Sequence, residues 1–464
     1  MRLASLLTAL TAIMALSVPA SAANWVCDKT PLLIENVSLY GSDGLSSIYI
    51  ANGVVEWIGD TNDARERYDE ARKIDGRGAT ALPGLIDSHT HFDALPAAKH
   101  LQSELDAQTE IFPITMRQTL ASGVTTARAH LAALADMAVM KTLSADNCFP
   151  APRIVVSGPG LRGGAPDLNA RLMRGVRSAE DAVAKINELA SLGASWAALH
   201  GITQFSDDEL SAIINAAEQT GVKLMADTDS FENLEVALRL PVTSGEYINR
   251  TLAEAYPDDL MDMLAARKSD FYVSPPLGYY ARSHAYANAD TTRLDDELFL
   301  FVPDDVSSVM RDSFHDAFKQ DEYIAGAIAA FPTFQVKFDQ LRAAGAKLVI
   351  GSDTGSLGQF HHDAVWREMA AWSAFGATPD EVVAGATKTP AQMLEASNIG
   401  TLTSGALGDI VLYAGDIASG DFDRTHVAAV IKGGVIYLSE GEWAGPDAPQ
   451  MQAEIEAFRR KSGE

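Results

Sequence analysis

The sequence predicts an α/β protein in which a (β/α)₈ barrel is joined to a small β-sandwich formed from both chain ends. The chain has 464 residues, which is too long for one ordinary hydrophobic core and about right for a large barrel with a smaller second domain. Eight short apolar runs, each followed by a plausible helix, occupy the middle of the chain. Strand-like segments with Gly, Asn and Asp turns flank them on both sides. These three observations favour a TIM barrel placed between the two parts of a β module.

The first 22 residues have the pattern of a secretory signal peptide. Arg2 precedes an apolar stretch over residues 6–18, and residues 20–22 read Ala-Ser-Ala, which is typical of a cleavage site. An uncleaved membrane anchor is the weaker interpretation, because the apolar stretch is too short to span a bilayer. No later segment is long and apolar enough to span one either. We therefore predict a secreted protein, with the periplasm as the expected compartment and no membrane span in the mature form.

The net charge and the two cysteines bear on partners and compartment. The chain has 62 acidic and 36 basic residues and a formal charge of −26. This charge repels nucleic acid and anionic membranes, so a small neutral or cationic substrate is the expected partner. The sequence leaves the oligomeric state open, and a homodimer is one option. In an oxidising compartment Cys27 and Cys148 would pair and tie the mature N-terminus to the barrel. Two unpaired thiols are the alternative.

Residues 23–82 and 397–440 are predicted to form the β-sandwich. Each segment is too small for a core of its own, so the simplest arrangement pairs them. The predicted strands lie within residues 31–40, 47–59, 72–75, 409–413 and 427–437. Residues 441–464 are predicted to be a C-terminal helical tail.

Residues 83–396 are predicted to form the barrel, whose chemistry would lie at the C-terminal ends of its strands. Segments such as 178–192 and 206–220 have helical apolar spacing. A doubly wound open sheet is the alternative, but no Gly-x-Gly-x-x-Gly turn follows the first strand. The eight predicted strands are Leu82–His89, Gly123–Ala129, Arg153–Gly158, Ala194–His200, Val222–Thr228, Pro241–Tyr247, Phe271–Leu277 and Lys347–Asp353.

The connection after the seventh predicted strand, residues 278–335, is unusually long. An insertion on the active face of a barrel is often a lid or a wall of the substrate site. A surface decoration or a dimer contact is an equal alternative.

His89 and His91 at the end of the first predicted barrel strand are candidate metal ligands. Alternate residues of a strand face the same side about 7 Å apart, so both imidazoles can bind one ion. Asp353 ends the eighth strand, which a barrel places beside the first. A helix cap is the alternative role for Asp353, because residues 351–355 also form a good turn.

Five motifs, in this order along the chain, resemble those of the amidohydrolase superfamily, in particular its imidazolonepropionase-like and prolidase-like branch. They are Leu82–His91, Gly123–Thr126, Leu348–Asp353, Ala386–Ala391 and Gly400–Val411. The resemblance implies a metal-dependent hydrolase in which a divalent ion polarises a carbonyl and activates water. It further implies that His89 and His91 are ligands and that Asp353 is both ligand and general base.

Three positions depart from the metal site of the family. Ala198 stands where the family has a carbamylated lysine, Met225 where it has the strand-five histidine, and Tyr247 where it has the strand-six histidine. Glu246, which precedes that last position, is retained. A two-metal centre of the ordinary kind is therefore not expected, and we predict one divalent ion, most simply zinc.

Strand alternation indicates which residues could replace the missing ligands. His200 lies two residues beyond Ala198, and Asp227 lies two residues beyond Met225, so each faces the same way as the lost ligand. Either could complete the coordination of the single ion, and each could instead be a hydrogen-bonded strand-end residue. The residues predicted to contact the substrate are Arg128, His130, Tyr247 and Tyr279.

The sequence thus predicts a secreted mononuclear hydrolase that cleaves a C–N bond in an amide, a cyclic amide or a dipeptide-like substrate. The alternative from another class is a catalytically silent small-molecule binding protein on the same scaffold, which the three substitutions favour. An esterase or lactonase is a further alternative, because it needs the same polarised carbonyl.

Overall fold

The computed structural model describes residues 27–96, 105–164, 171–287, 289, 291 and 294–462. The predicted signal peptide, residues 1–22, lies outside this described part. Among the described residues, no helix is both long enough and apolar enough to cross a lipid bilayer.

The N-terminal segment folds into short strands, several of which carry buried apolar residues. Its elements are β1 (Leu32–Leu39), β2 (Leu45–Ala51), β3 (Val54–Gly59), α1 (Thr61–Arg67), β4 (Arg72–Asp75) and β5 (Thr80–Pro83). Ile34 of β1 and Ile48 of β2 are direct antiparallel partners, and both are fully buried. One face of this sheet therefore packs into a core.

The central segment alternates strands with helices, and each of the eight predicted barrel runs overlaps a strand of this segment; the first run also takes in the end of β5. The strands are β6 (Leu85–Thr90), β7 (Val124–Ala129), β8 (Arg153–Val156), β9 (Gly160–Gly163), β10 (Met173–Val176), β11 (Trp196–His200), β12 (Lys223–Asp227), β13 (Ser244–Glu246), β14 (Tyr272–Ser274) and β15 (Lys347–Leu348). The strands β9 and β10, which lie between the third and fourth predicted runs, were not predicted.

Helices follow most of these strands, and some of the helices begin at a residue whose side chain caps them. The helices are α2 (Phe112–Ala121), α3 (Leu134–Ser144), α4 (Ala179–Ser191), α5 (Asp207–Thr220), α6 (Phe231–Arg239), α7 (Asp258–Ala266), α8 (Leu277–Ala287), α9 (Asp304–Gln320), α10 (Glu322–Ala330), α11 (Phe334–Ala343), α12 (Ala364–Ala374), α13 (Pro379–Gly385) and α14 (Lys388–Met393). Ser206 and Glu209 form a capping box at the start of α5, and Gly221 ends it with φ +73°.

The central strands form two parallel sheets, in the orders β6-β7-β8 and β10-β9-β11-β12-β13-β14-β15. Backbone hydrogen bonds join the sheets at both junctions. Ser195 N donates to Val156 O at 3.1 Å, and Ser88 N donates to Ile350 O at 2.9 Å. The arrangement is TIM-barrel-like and places the end of β6 beside the segment that follows β15.

The C-terminal segment returns to the N-terminal strands. Its elements are β16 (Ile410–Tyr413), β17 (Val427–Lys432), β18 (Val435–Ser439), β19 (Glu442–Trp443) and α15 (Ala448–Ser462). The antiparallel pair β5-β16, in which Leu82 faces Val411, joins both chain ends in one sheet of order β19-β18-β17-β16-β5-β1-β2-β3, with β4 beside β1. The division of this sheet into the two layers of a sandwich stays a prediction.

Two connections fasten the β module to the barrel. Cys27 and Cys148 form a disulfide, which is the paired option of the two that the sequence left open. The buried ammonium of Lys432 on β17 donates hydrogen bonds of 2.7–3.2 Å to the carbonyl groups of Ser144, Asp146, Phe149 and Ala151. Burial lowers the pKa of Lys432 well below its ordinary value.

Candidate metal and catalytic site

A cavity of about 430 Å³ opens at the C-terminal ends of the central parallel strands, a size suited to a small molecule. Its walls combine imidazoles and carboxylates with apolar and aromatic side chains. The lining residues are His91, Ala94, Leu95, His130, Leu131, His200, Tyr247, Tyr279, Asp321, Tyr323, Asp353, Gly355, Ser356 and Leu357.

His89, His91 and Asp353, here called the first donor group, converge beside this cavity. Each offers one ligand atom, and these atoms lie within 4.8 Å of one another. Asp353 Oδ1 is 3.1 Å from His91 Nε2 and 3.5 Å from His89 Nε2. Ligands that each lie about 2 Å from one zinc ion are separated by about 3–4 Å. The three residues therefore have the spacing of ligands to a single cation.

Asp87 holds the two halves of the first donor group together. Its Oδ1 accepts hydrogen bonds from Ser352 N at 3.0 Å and from His89 N at 3.2 Å. Asp353 N donates to His89 O at 2.9 Å, and Asp353 itself has φ +55°, an uncommon conformation outside glycine. Burial raises the pKa of Asp87 to about 6, against the hydrogen bonds from Ser352.

The charges within the first donor group are coupled. Burial disfavours the ionised form of Asp353, but His89 and His91 hold the pKa of its carboxyl below the ordinary value. Burial also disfavours a charged His89, but Asp353 and Glu246 raise its pKa above 6.5. The protein therefore stabilises positive charge at this place, which is also the requirement for binding a cation.

Glu246 orients His89. Its Oε2 is 2.9 Å from His89 Nδ1, and its Oε1 accepts hydrogen bonds from Ser244 Oγ and Arg128. Burial alone would raise the pKa of Glu246, but the charge of Arg128 and the hydrogen bond from His89 hold it at about 2. A carboxylate that accepts from one ring nitrogen leaves the other free for a metal.

Arg128 lies beneath the site and not on the cavity wall, where it was expected to contact substrate. Its side chain is fully buried, donates to Ser88 O at 2.7 Å and lies over the ring of Trp196. It therefore supports Glu246. The physical reason is depth: Arg128 is two residues earlier on its strand than His130, which reaches the cavity.

His130, His200 and Asp227, here called the second donor group, form another cluster with ligand atoms within 4.8 Å of one another. His200 Nδ1 is 2.6 Å from Asp227 Oδ2, and His130 Nε2 is 3.9 Å from Asp227 Oδ1. His130 was predicted to contact substrate, and His200 and Asp227 to complete a single site with His89. The structure groups these three with one another.

Several buried polar atoms in both groups have no hydrogen-bond partner within the described part of the chain. They are His89 Nε2, both ring nitrogens of His130, His200 Nε2 and Asp227 Oδ1. Buried polar atoms of this kind are rare unless water or an ion satisfies them. Imidazole and carboxylate donors suit a divalent transition metal such as zinc. The residues present therefore fit a bound divalent cation.

A sequence model of the Amidohydrolase family matches residues 80–437. This protein belongs to the amidohydrolase family. The predicted resemblance is thereby confirmed.

Individual proteins also resemble this amidohydrolase. An imidazolonepropionase of Aromatoleum aromaticum is 40% identical over 52 residues, which cover 11% of this chain and 13% of that protein. An imidazolonepropionase of Geobacillus kaustophilus is 35% identical over 74 residues, which cover 15% of this chain and 18% of that protein. A crystal structure of a Xaa-Pro dipeptidase with bound methionine superposes with a TM-score of 0.67 and 19% identity, covering 88% of this chain and 100% of the other. The last match shows a shared fold.

Two of the three positions that were predicted to depart from the metal site of the family, Ala198 and Met225, lie in an apolar layer. Ala198 and Met225 are buried with Trp196, Tyr272 and Val349. Ala198 and Met225 are also direct partners in the β11-β12 pair. Neither alanine nor methionine is a usual ligand for zinc.

Tyr247 and Tyr279 both line the cavity, where they were predicted to contact substrate. The ring of Tyr247 lies 5.3 Å from that of His89. Burial, followed by the charge of Asp353, raises the pKa of both phenols well above 10. Both hydroxyls therefore stay protonated and can donate hydrogen bonds to a substrate.

The long insertion contributes a wall of the cavity. Asp321 and Tyr323, at the start of α10, line it, and Tyr323 stacks on Tyr279 with ring centroids 6.0 Å apart. Sequence reasoning missed both residues, because nothing in their local pattern indicates which part of a 58-residue stretch faces the barrel. It also missed the role of Asp87, although this residue lies only two positions before His89.

Proposed function

We propose that this amidohydrolase is a secreted, metal-dependent hydrolase that cleaves a carbon–nitrogen bond in a small amide, cyclic amide or dipeptide-like substrate. The observation that carries the proposal is the convergence of His89, His91 and Asp353 beside a cavity of molecular size. The imidazolonepropionases and the Xaa-Pro dipeptidase to which the chain is similar support this class of reaction.

A divalent cation held by the first donor group would supply polarisation of the substrate carbonyl and activation of a water molecule. Asp353 would accept a proton from the attacking water, because its lowered pKa keeps it ionised at neutral pH. Its Oδ1 faces the two histidines, so Oδ2 is the oxygen that takes the proton. The water oxygen bonds to the carbonyl carbon, the C–N bond breaks, and Asp353 returns the proton to the leaving nitrogen.

The tyrosines of the cavity bind and orient the substrate. The ring of Tyr247 lies 5.3 Å from that of His89, so its hydroxyl can hydrogen-bond the substrate carbonyl. Tyr279 and Tyr323 supply a flat apolar wall, and Asp321 at its edge favours a neutral or cationic group over an anion.

A hydrolysis screen tests the proposal. Metal-depleted protein is reconstituted with zinc and offered dipeptides, N-acyl amino acids, cyclic amides, esters and lactones. We expect metal-dependent release of an amine and a loss of at least about 100-fold in kcat for Asp353→Asn. Asp312→Asn, on the exposed surface of α9, is the matched control and should retain full activity. Tight ligand binding without turnover would instead favour the catalytically silent binding protein. Turnover of only the esters or lactones would favour the esterase or lactonase.

Export is part of the same proposal. The Cys27–Cys148 disulfide supports it, because such bonds persist in oxidising compartments. Periplasmic protein should begin at Ala23 when its N-terminus is sequenced. A cytoplasmic chain that retains Met1 would contradict export.

A further inference from the structure

We propose that His130, His200 and Asp227 form a second divalent-cation site, nearer the barrel mouth than the ligand positions that the family uses. The inference rests on the proposed function in one respect, since the second cation would share the cavity of the catalytic one. It departs from the single-ion site predicted from the sequence.

The spacing of the second donor group suits a cation. Asp227 Oδ1 and His130 Nε2 are 3.9 Å apart, too far for a hydrogen bond. Two ligands of a tetrahedral zinc ion, each at about 2.0–2.1 Å, are separated by about 3.4 Å, so this spacing leaves room for an ion between the two atoms. A ring nitrogen of His200 lies within 4.8 Å of both other ligand atoms. A single ion placed between the three side chains could therefore contact a ligand atom of each.

Burial supports the same assignment. His130 is 1% exposed, and neither of its ring nitrogens has a hydrogen-bond partner among the described residues. Asp227 Oδ1 and His200 Nε2 are likewise buried and unpartnered there.

Strand register explains why this site differs from the one usual in the family. Ala198 and Met225 are paired across β11 and β12, and two residues further on each strand come His200 and Asp227. Two residues of strand advance a side chain by about 7 Å on the same face. His200 and Asp227 therefore lie one layer nearer the barrel mouth than Ala198 and Met225. The layer that contains Ala198 and Met225 is apolar.

The two donor groups are adjacent but share no residue. The rings of His89 and His130 stack with centroids 4.0 Å apart. The three residues of the first donor group are different from the three residues of the second. The arrangement that would compete with a second cation is a proton relay, in which Asp227 holds the Nδ1 proton of His200 at 2.6 Å. A relay needs no metal, so metal stoichiometry separates the two.

The experiment measures zinc bound per chain by mass spectrometry after reconstitution of the full-length protein and removal of excess metal. We expect two zinc ions in the unaltered protein and one in each of Asp227→Asn and His200→Gln. His91→Asn should retain one, and the His91→Asn/His200→Gln double variant none. His426→Gln, on the surface of the β module, is the matched control and should retain two. Far-UV circular dichroism checks that each variant is folded.

One zinc in the unaltered protein, or two in both Asp227→Asn and His200→Gln, would overturn the second site. The readout does not depend on turnover. Two bound zinc ions without hydrolysis of any substrate would refute the proposed function and leave the second cation site standing. One bound zinc ion with hydrolysis would refute the second cation site and leave the proposed function standing.

Discussion

Glu246 and His89 form a fully buried pair in which the glutamate Oε2 lies 2.9 Å from the histidine Nδ1. The contact fixes the direction of the imidazole, so that Nε2 faces Asp353. Glu246 also balances the buried charge of Arg128. One carboxylate therefore serves both the metal site and the stability of the barrel interior.

Glu246→Gln tests both roles. We expect zinc affinity to fall about 10–100-fold, because His89 loses the acceptor that orients it. The free energy of unfolding of the metal-free protein should fall by about 3–5 kcal/mol, because Arg128 keeps a buried charge without its counter-ion. Chelator competition and urea denaturation measure the two effects. Glu235→Gln, which breaks the exposed pair with Arg239, should change neither. Unchanged zinc affinity in Glu246→Gln would show that the contact does not support a ligand.

Zinc affinity should rise with pH up to the folded pKa of His89. The pKa of His89 is raised above 6.5 in the metal-free protein, so the stability that it contributes is complete below pH 6.5 and is lost as the pH passes its folded pKa. Zinc must displace that proton, and the affinity should increase about tenfold per pH unit below this pKa. Chelator competition between pH 6 and 8.5 measures the slope. A flat profile would mean that His89 is not a ligand.

Ala198→Lys should not create the two-metal centre usual in the family. The lysine would lie in an apolar layer with Met225 and Trp196, where its ammonium has no counter-ion and the remaining family ligands are missing. We expect an unchanged number of bound zinc ions and a free energy of unfolding lowered by several kcal/mol, on the order of 3. Ala198→Met, which is apolar, is the size control. A gain of one tightly bound ion in Ala198→Lys would refute this prediction.

Lys432→Met should loosen the β module from the barrel. The variant removes the donor shared by four carbonyl groups of residues 144–151, and each buried acceptor left unsatisfied costs about 1–3 kcal/mol. We expect the free energy of unfolding, from urea titration, to fall by about 3 kcal/mol or more. Lys73→Met replaces an exposed lysine on β4 and should have little effect. Equal stability of the two variants would contradict the proposed anchoring.

The positions of eight strands of the central segment could be predicted because buried parallel strands are continuous apolar runs. The strands β9 and β10 were missed, since Gly160-Leu-Arg-Gly163 has neither apolar alternation nor β-branched residues. Alternation placed His200 and Asp227 on the cavity side of their strands. It could not give the depth of each residue along the barrel axis, which depends on the stagger between strands. For this reason Arg128 was predicted to contact substrate at the cavity wall. For the same reason His130 was not predicted to share a site with His200 and Asp227.

An anomalous-scattering map of zinc-reconstituted crystals, recorded at the zinc absorption edge, tests the central claim most directly. We predict a peak about 2 Å from His89 Nε2, His91 Nε2 and an oxygen of Asp353. A map without a peak among these three side chains, from protein that has bound zinc elsewhere, would contradict the assignment of the first donor group.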